Sequence, residues 1–187
     1  YENPWRLYAF LEGYTSVDLV TNPKEAELAA GAFAKFQNDL ADIPPPRLED
    51  IIPKFHDTPN RLKQLDDAAA KDVKGRLQSV AAEMAFVDSW RKNASRIVDL
   101  MASGEIPERV THNDTKINNV LFDRETLKPL VVIDLDTVMP GLIGHDFGDA
   151  IRYAANFVEE DCPQVEKVGI DLNVFWAFAE GFLKKTA

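Results

Sequence analysis

The chain has 187 residues, of which 45% are hydrophobic, enough to bury the core of one domain or somewhat more. Its 31 acidic and 21 basic side chains give a net charge of -10, which disfavours binding to nucleic acid or to an anionic membrane. A single cysteine, Cys162, excludes an internal disulfide and a cysteine-rich zinc site, and no apolar run approaches the roughly 20 residues of a membrane-spanning helix, so we expect a globular cytoplasmic protein without a signal peptide.

The first two predicted elements are a strand and a helix. Residues 5–11 alternate apolar and polar side chains before Gly13, which predicts a short strand that runs into a turn. Asn22 then has the character of a helix N-cap and Pro23 that of a first helical residue. Apolar residues recur behind them at helical spacing, and they predict an amphipathic helix: Ala29, Phe33, Phe36 and Leu40.

A proline-rich loop and a long apolar periodicity follow. Residues 43–59 predict a loop, and Thr58 and Pro59 predict the cap and first residue of a helix. From Val73 to about Gly104, apolar residues recur every three to four positions: Leu77, Val80, Met84, Val87, Ala94, Val98 and Met101. We favour one long core helix. A coiled-coil seam is the alternative, which the charge of Arg91 within the seam disfavours.

Beyond Pro107 the sequence becomes rich in β-branched residues. Three short stretches, RVTHND, NVLFD and LVVIDLD, have strand character, and the turn-like DRETLK joins the last two. We predict a small β-hairpin, followed by helices at about residues 147–157 and 173–183. The expected fold class is therefore α+β, mainly α.

The segment THNDTKINN, residues 111–119, concentrates polar residues between apolar stretches. Asp114 precedes Asn119 by five residues, and Asp134 closes the next strand of the hairpin, so the three side chains can converge. One carboxylate and the amide oxygen supply the hard ligands that Mg²⁺ prefers, and the remaining carboxylate can orient a hydroxyl group. Phosphoryl transfer requires both of these functions. Simple turn residues are the alternative interpretation, because Asp and Asn favour turns. The fixed spacing and the second aspartate favour the catalytic interpretation.

The segments THNDTKINNVLFD and VVIDLDTVMPGLIGHDFGDAIR resemble the catalytic segments of protein-kinase-like small-molecule kinases: the aminoglycoside, choline and sugar phosphotransferases. They look most like the phosphotransferase family that contains the N-acetylhexosamine 1-kinases. The resemblance implies that Asp114 is the catalytic base and that Asn119 and Asp134 bind Mg²⁺, with His112 as a structural support. It also implies a protein-kinase-like carboxyl-terminal lobe over residues 14–187, with ATP and Mg²⁺ as cofactors.

Four further charged residues near this motif receive roles of their own. Asp136 is a candidate additional metal ligand. We expect Asp146 to brace the catalytic loop and Asp149 to interact with the dipole at the start of the next helix. Arg152 is expected to pair with one of these carboxylates, and a role in binding substrate is the alternative.

By the same resemblance, the segment LYAFLEG within residues 1–13 corresponds to the hinge strand between two kinase lobes. The backbone of Ala9, Phe10 and Leu11 would meet the adenine ring there. A kinase also needs an amino-terminal lobe with a phosphate-binding loop and a strand lysine, and the sequence before the hinge contains neither. We therefore expect a kinase fragment that is truncated at both ends and inactive by itself.

The resemblance alone supports the first functional hypothesis, an ATP-dependent kinase that phosphorylates the anomeric hydroxyl of an N-acetylhexosamine. A choline or aminoglycoside kinase is the near alternative, since the acidic composition would suit a cationic acceptor. A non-catalytic binding module is an alternative from another class, and a metal-dependent hydrolase is a remote third. Expected partners are ATP and a small acceptor, with neither nucleic acid nor membrane, and the sequence leaves the oligomeric state open.

Overall fold

Helices and two small sheets form the chain, which a computed structural model describes over residues 5–43 and 48–186. The expectation of an α+β fold, mainly α, is confirmed. The chain divides into two compact units. Unit 1 consists of residues 1–42, 114–136 and 147–187, and unit 2 of residues 43–113 and 137–146. Within the described ranges, no helix combines the length and the apolar character that crossing a membrane requires.

Helix α1 (Pro23–Asp39) and helix α6 (Leu172–Leu183) pack against each other in unit 1. The side chain of Asn22 caps α1 by accepting a hydrogen bond from the Lys24 amide at 2.7 Å, and Pro23 begins the helix, as the sequence predicts. The buried face of α1 combines small residues with one aromatic: Ala26, Ala29, Ala30, Phe33 and Ala34. Small side chains let two helix backbones approach closely, and this explains an alanine-rich face opposite the aromatic α6.

A three-stranded antiparallel sheet with the order β1-β3-β4 completes unit 1. Its strands are β1 (Tyr14–Thr15), β3 (Val120–Asp123) and β4 (Pro129–Val132), and β3 and β4 form the predicted hairpin. The Asp123 carboxylate closes the hairpin turn by accepting hydrogen bonds from the amide and hydroxyl of Thr126, both at 2.7 Å. The side chains of Val120, Leu121 and Phe122 are buried, which anchors the hairpin in the core.

The strand predicted over residues 5–11 is wrong. Residues 5–12 have no regular secondary structure, and the first strand begins after Gly13, at Tyr14. Alternation becomes a strand only where one face can be buried, and here Leu7 and Phe10 are 99% and 81% exposed.

Unit 2 contains a second sheet, in which β2 (Arg109–Thr111) pairs antiparallel with β5 (Met139–Gly141). Helix α2 (Thr58–Lys71) precedes it, and part of the predicted loop before α2, residues 44–47, lies outside the described residues. The cap of α2 is Asp57, one residue before the predicted Thr58, because the Asp57 carboxylate accepts from the Asn60 amide at 2.9 Å.

The single long core helix predicted from Val73 to Gly104 is also wrong. The segment forms α3 (Ala81–Trp90) and α4 (Arg96–Ala102), with 3₁₀ turns before α3 and between the two. Neither helix has a buried residue, and Phe86 and Trp90 of α3 are 65% and 57% exposed. A 3₁₀ turn has three residues rather than 3.6, so it rotates the apolar stripe and ends the continuous face that the periodicity predicted.

Helix α5 (Ile143–Ala154) follows β5 and carries Asp146 in its first turn. It begins four residues before the predicted start at residue 147 and ends three residues before the predicted end at residue 157. Phe147 of α5 contacts the aromatic rings of α6, with ring centroids 5.8 Å from Phe178 and 5.5 Å from Phe182. The prediction of α6 is confirmed to within one residue at its start, where Asp171 caps the helix.

Candidate active site

The polar loop of residues 111–119 begins at the last residue of β2 and ends in a 3₁₀ turn that leads directly into β3. Thr111, His112 and Thr115 are fully buried, and Asn119 is 8% exposed. Asp114 is only partly buried. A charged side chain that keeps access to solvent between fully buried neighbours is held in place by those neighbours yet can meet a ligand.

Hydrogen bonds and strand register bring Asp114, Asn119 and Asp134 into one region of unit 1. The Asn119 side chain donates through Nδ2 to the backbone oxygen of Asp114 at 2.9 Å. The backbone oxygen of Asn119 in turn accepts from the amide of Ile133 at 2.8 Å, and Asp134 is the next residue. Asp134 lies two residues beyond the end of β4, and its φ of 60° turns the chain out of the strand direction.

The atoms in this region suit a hard divalent cation. Because Nδ2 of Asn119 is bonded to Asp114, Oδ1 is the atom of that side chain that can face a cation. Asp134 contributes a carboxylate from the neighbouring strand end. An amide oxygen and a carboxylate, with water and phosphate oxygens beside them, form a coordination set typical of Mg²⁺.

The third predicted ligand, Asp136, has a different partner. Its carboxylate forms an ion pair with Arg6, and its side chain is 76% exposed. Over the part of the chain that the structure describes, no group of three or more His, Cys, Asp or Glu residues could hold a metal ion. The assignment of Asp136 as a metal ligand stays a prediction, as do those of Asn119 and Asp134.

Asp149 anchors the loop within unit 1. Its Oδ2 accepts a hydrogen bond from the backbone amide of Thr115 at 2.8 Å. Its Oδ1 accepts from Arg152 at 2.9 Å, so Arg152 pairs with one of the carboxylates considered for it. Asp149 is the seventh residue of α5, and the expectation that it lies at the helix start is wrong.

Lys116 and Glu160 extend this network, and no sequence pattern predicts a role for either residue. Lys116 Nζ lies 3.0 Å from a Glu160 carboxylate oxygen, and the other oxygen of that carboxylate lies 2.8 Å from Arg152. The hydrogen bond to Glu160 raises the pKa of Lys116, and the nearby charge of Asp114 raises this pKa further against the opposing effect of burial. The network therefore keeps an ammonium group charged two residues after Asp114.

Within unit 2, Asp146 holds the first half of the loop. Its carboxylate is fully buried and accepts hydrogen bonds from the backbone amides of His112 at 2.9 Å and of Asn113 at 2.8 Å. The hydroxyl of Thr137 donates to the His112 oxygen at 2.7 Å. These are the contacts expected of a brace, and they fix the two peptide groups between Thr111 and Asn113.

His56 also contacts the loop, although no sequence pattern predicts a role for it. Its Nε2 lies 3.1 Å from the backbone oxygen of Asn113, and its ring centroid is 4.9 Å from that of His145. Both histidines line a cavity of about 230 Å³ in unit 2, together with Asp57, Glu108 and Met101. Burial, and to a lesser extent the charge of His56, lowers the pKa of His145 to about 4. The His145 ring is therefore neutral near pH 7.

The predicted hinge residues Ala9, Phe10 and Leu11 lie in unit 1, before β1. All three are exposed and have no regular secondary structure. Their assignment to adenine stays a prediction.

Several supports of the loop could not be predicted from the sequence, because they lie far from it in the chain. Thr137 is 25 residues from His112 in the chain, and His56 is 57 residues from Asn113. No periodicity or local motif connects positions that far apart. Asn113 itself had a usable signal, since Asn before a candidate catalytic residue is one of the few side chains that tolerate a left-handed backbone.

Comparison with known protein families adds one finding. The model of a family described as the phosphotransferase enzyme family matches residues 1–180 of this chain. The matched range includes the polar loop, the β3–β4 hairpin and all of α5.

Proposed function

The chain belongs to the phosphotransferase enzyme family, and from this premise we propose that the full-length protein transfers the γ-phosphoryl group of ATP to a hydroxyl group of a small molecule, with Asp114 as catalytic base. The family transfers phosphoryl groups to small-molecule substrates and typically uses ATP and Mg²⁺. The observation that carries the proposal is the placement of Asp114, a partly exposed carboxylate on a loop whose neighbouring residues are buried and hydrogen-bonded.

In the proposed reaction, Asp114 accepts a hydrogen bond from the acceptor hydroxyl and orients it towards the γ-phosphorus. The hydroxyl oxygen forms the new bond to phosphorus, and the bond between phosphorus and the β,γ-bridging oxygen breaks. That oxygen leaves with the bonding electron pair as part of ADP, and the hydroxyl proton goes to the Asp114 carboxylate. Positioning of this kind supplies most of what a phosphoryl-transfer enzyme contributes.

Asn119 Oδ1 and the Asp134 carboxylate are the groups proposed to hold Mg²⁺. Their oxygens suit this hard cation, and the hydrogen bond from Asn119 Nδ2 to Asp114 supports the orientation of the amide. Bound Mg²⁺ would neutralise charge on the triphosphate. Ala9, Phe10 and Leu11 remain the proposed contacts for adenine.

The proposed acceptor is an amino sugar, an N-acetylhexosamine phosphorylated at its anomeric hydroxyl. The support is the resemblance of THNDTKINNVLFD and VIDLDTVMPGL to the kinases of these sugars. Choline and aminoglycosides are acceptors of the same reaction class, and they enter the test as alternative outcomes.

The test measures ADP formation by the full-length protein with ATP and Mg²⁺. The acceptors are N-acetylglucosamine, N-acetylgalactosamine, choline and an aminoglycoside. We expect turnover with an N-acetylhexosamine, and a loss of about 10²-fold to 10⁴-fold in kcat for Asp114→Asn, because the amide cannot take the hydroxyl proton. Omission of Mg²⁺ should abolish turnover in the wild type.

The matched control is Asp67→Asn, which removes one negative charge from the exposed surface of α2 and should retain wild-type kcat. Wild-type turnover in the Asp114→Asn variant would contradict the role of the base. Turnover with choline or the aminoglycoside alone would keep the reaction and replace the proposed acceptor.

A further inference from the structure

Asn113, which directly precedes Asp114, has a backbone conformation that few side chains adopt. Its φ is 67°, within the left-handed region that costs free energy for residues other than glycine, and less for asparagine. The direction in which the chain enters Asp114 depends on this dihedral angle. Something in the structure must therefore hold Asn113 in it.

The side chain of Asn113 supplies one set of contacts. It is 3% exposed, and its Nδ2 faces three backbone oxygens, those of Thr111 at 3.2 Å, Thr137 at 3.0 Å and Met139 at 3.4 Å. Its Oδ1 accepts from the hydroxyl of Thr111 at 3.0 Å. The carboxamide is therefore hydrogen-bonded to both strands of the β2–β5 sheet, through Thr111 and Met139, and to Thr137, which lies two residues before β5.

The peptide groups of Asn113 supply a second set. Its amide donates to Asp146 at 2.8 Å, and its carbonyl oxygen lies 3.1 Å from His56 Nε2. The His56 contact is a hydrogen bond to the carbonyl that continues directly into Asp114, and it requires the tautomer with hydrogen on Nε2.

Gly141 leaves the space that this arrangement needs. A Cβ atom at position 141 would lie 2.9 Å from Asn113 Oδ1 and far inside van der Waals contact with the Thr111 hydroxyl. The strand opposite the loop therefore carries a glycine where any side chain would displace both anchoring groups.

We propose that Asn113 is a positioning residue for phosphoryl transfer: its carboxamide, fastened to the β2–β5 sheet, and His56, bonded to its carbonyl, together set the direction in which Asp114 is presented. This inference rests on the proposed function. It assigns a role to two residues, Asn113 and His56, that the motif alone leaves without one.

The first test compares Asn113→Asp and Asn113→Gly with the wild type. Aspartate tolerates the left-handed backbone but points an oxygen at three carbonyls, and glycine keeps the backbone but loses every side-chain anchor. We expect kcat per folded molecule to fall at least 10-fold for Asn113→Asp and less for Asn113→Gly, with the KM for ATP changed less than twofold. Asn93→Asp, at an exposed position in unit 2, is the matched control and should retain wild-type kcat.

The second test separates the His56 hydrogen bond from the packing of its ring. His56→Gln retains a donor and His56→Phe retains a ring without one. Rescue of kcat by glutamine relative to phenylalanine is expected. Equal loss in the two variants, or wild-type kcat in both, would overturn the role of the hydrogen bond.

Amide hydrogen exchange across residues 111–119 tests the inference independently of activity. We expect Asn113→Asp to accelerate exchange at the backbone amides of positions 112 and 113, while its thermal midpoint falls by no more than that of Asn113→Gly. Unchanged exchange in this loop would overturn the inference even if no acceptor were found. Wild-type kcat in the Asn113 variants, together with lost turnover in Asp114→Asn, would overturn the inference and leave the proposed function intact.

Discussion

A carboxylate that is fully buried, as that of Asp146 is, costs free energy to desolvate unless hydrogen bonds replace its water. Two backbone amides of the loop supply such bonds, and the residues that carry them, His112 and Asn113, are buried. The interaction is therefore reciprocal. The loop amides stabilise the buried charge of Asp146, and the carboxylate accepts the hydrogen bonds that the buried amides must donate. Asp149 repeats the arrangement once, at the Thr115 amide in unit 1.

Asp146→Asn tests this reciprocity. Asparagine keeps one acceptor oxygen but turns a donor towards a backbone amide, so one buried amide loses its partner. We expect the free energy of unfolding to fall by about 2–3 kcal/mol, measured by urea denaturation. Asp67→Asn, which changes an exposed carboxylate in the same way, should stay within about 0.5 kcal/mol of the wild type. A loss for Asp146→Asn as small as that of the control would show that the carboxylate does not brace the loop.

At the scale of elements, the backbones of α1 and α6 approach each other closely at Gly181. A Cβ atom there would fall far inside contact distance of the Glu27 backbone oxygen, so backbone would have to move. Gly31, on the facing helix, has the opposite environment, since a Cβ atom there would lie 3.7 Å from the Lys185 side chain. The packing of α1 against α6 therefore requires glycine at position 181 but leaves room for a larger side chain at position 31.

Matched alanine substitutions test this difference between the two positions. Gly181→Ala should lower the free energy of unfolding by about 1–3 kcal/mol, because the overlap is with main chain that cannot rotate away. Gly31→Ala should raise it by about 0.5–1 kcal/mol, since alanine favours the helix and meets only ordinary contacts. Thermal and urea unfolding measure the change in the free energy of unfolding for each variant. The same sign of effect for both would contradict the packing described for α1 and α6.

At the scale of the whole molecule, each unit is assembled from segments that are separated in the chain. Unit 1 requires residues 1–42, 114–136 and 147–187 to come together, and unit 2 closes only when residues 137–146 join residues 43–113. The loop of residues 111–119 passes from unit 2 to unit 1 between Asn113 and Asp114. Contacts of high sequence separation must therefore form before the candidate site exists.

The neutral His145 ring predicts how stability depends on pH. Its pKa is about 4 in the folded chain, against an ordinary value of 6.5, so the unfolded chain binds a proton first as pH falls. Stability should therefore decline as pH falls from about 6.5 to about 4. One titrating group can change the free energy of unfolding by at most about 1.4 kcal/mol per pH unit, and the partial solvent exposure of the His145 ring makes the change smaller.

The measurement is urea unfolding at a series of pH values for the wild type and for His145→Gln, which cannot take up a proton in this range. The variant should lose less stability than the wild type between pH 6.5 and pH 4. Parallel pH profiles for the two proteins would contradict the assignment of this titration to His145.

The sequence by itself determined the elements whose causes lie within a few turns of chain: α1 with its Asn22 cap, the β3–β4 hairpin, α6, and the loop that carries Asp114 and Asn119. A cap, a turn or a fixed spacing acts over a few residues, so its signal is local. The same locality explains the errors, because periodicity predicts an apolar face and not the partner that would bury it, as residues 5–11 and the α3–α4 segment show.

Only the tertiary structure decided how the loop is held. Asp136 pairs with Arg6, Asp149 lies in the second turn of α5, and Thr137, His56 and Gly141 meet the loop from distant parts of the chain. Hydrogen bonds and close approaches of this kind depend on positions in space, which no pattern of neighbouring residues encodes. Chemistry could be predicted from residue types and spacing, whereas the contacts that position the reacting group required the fold.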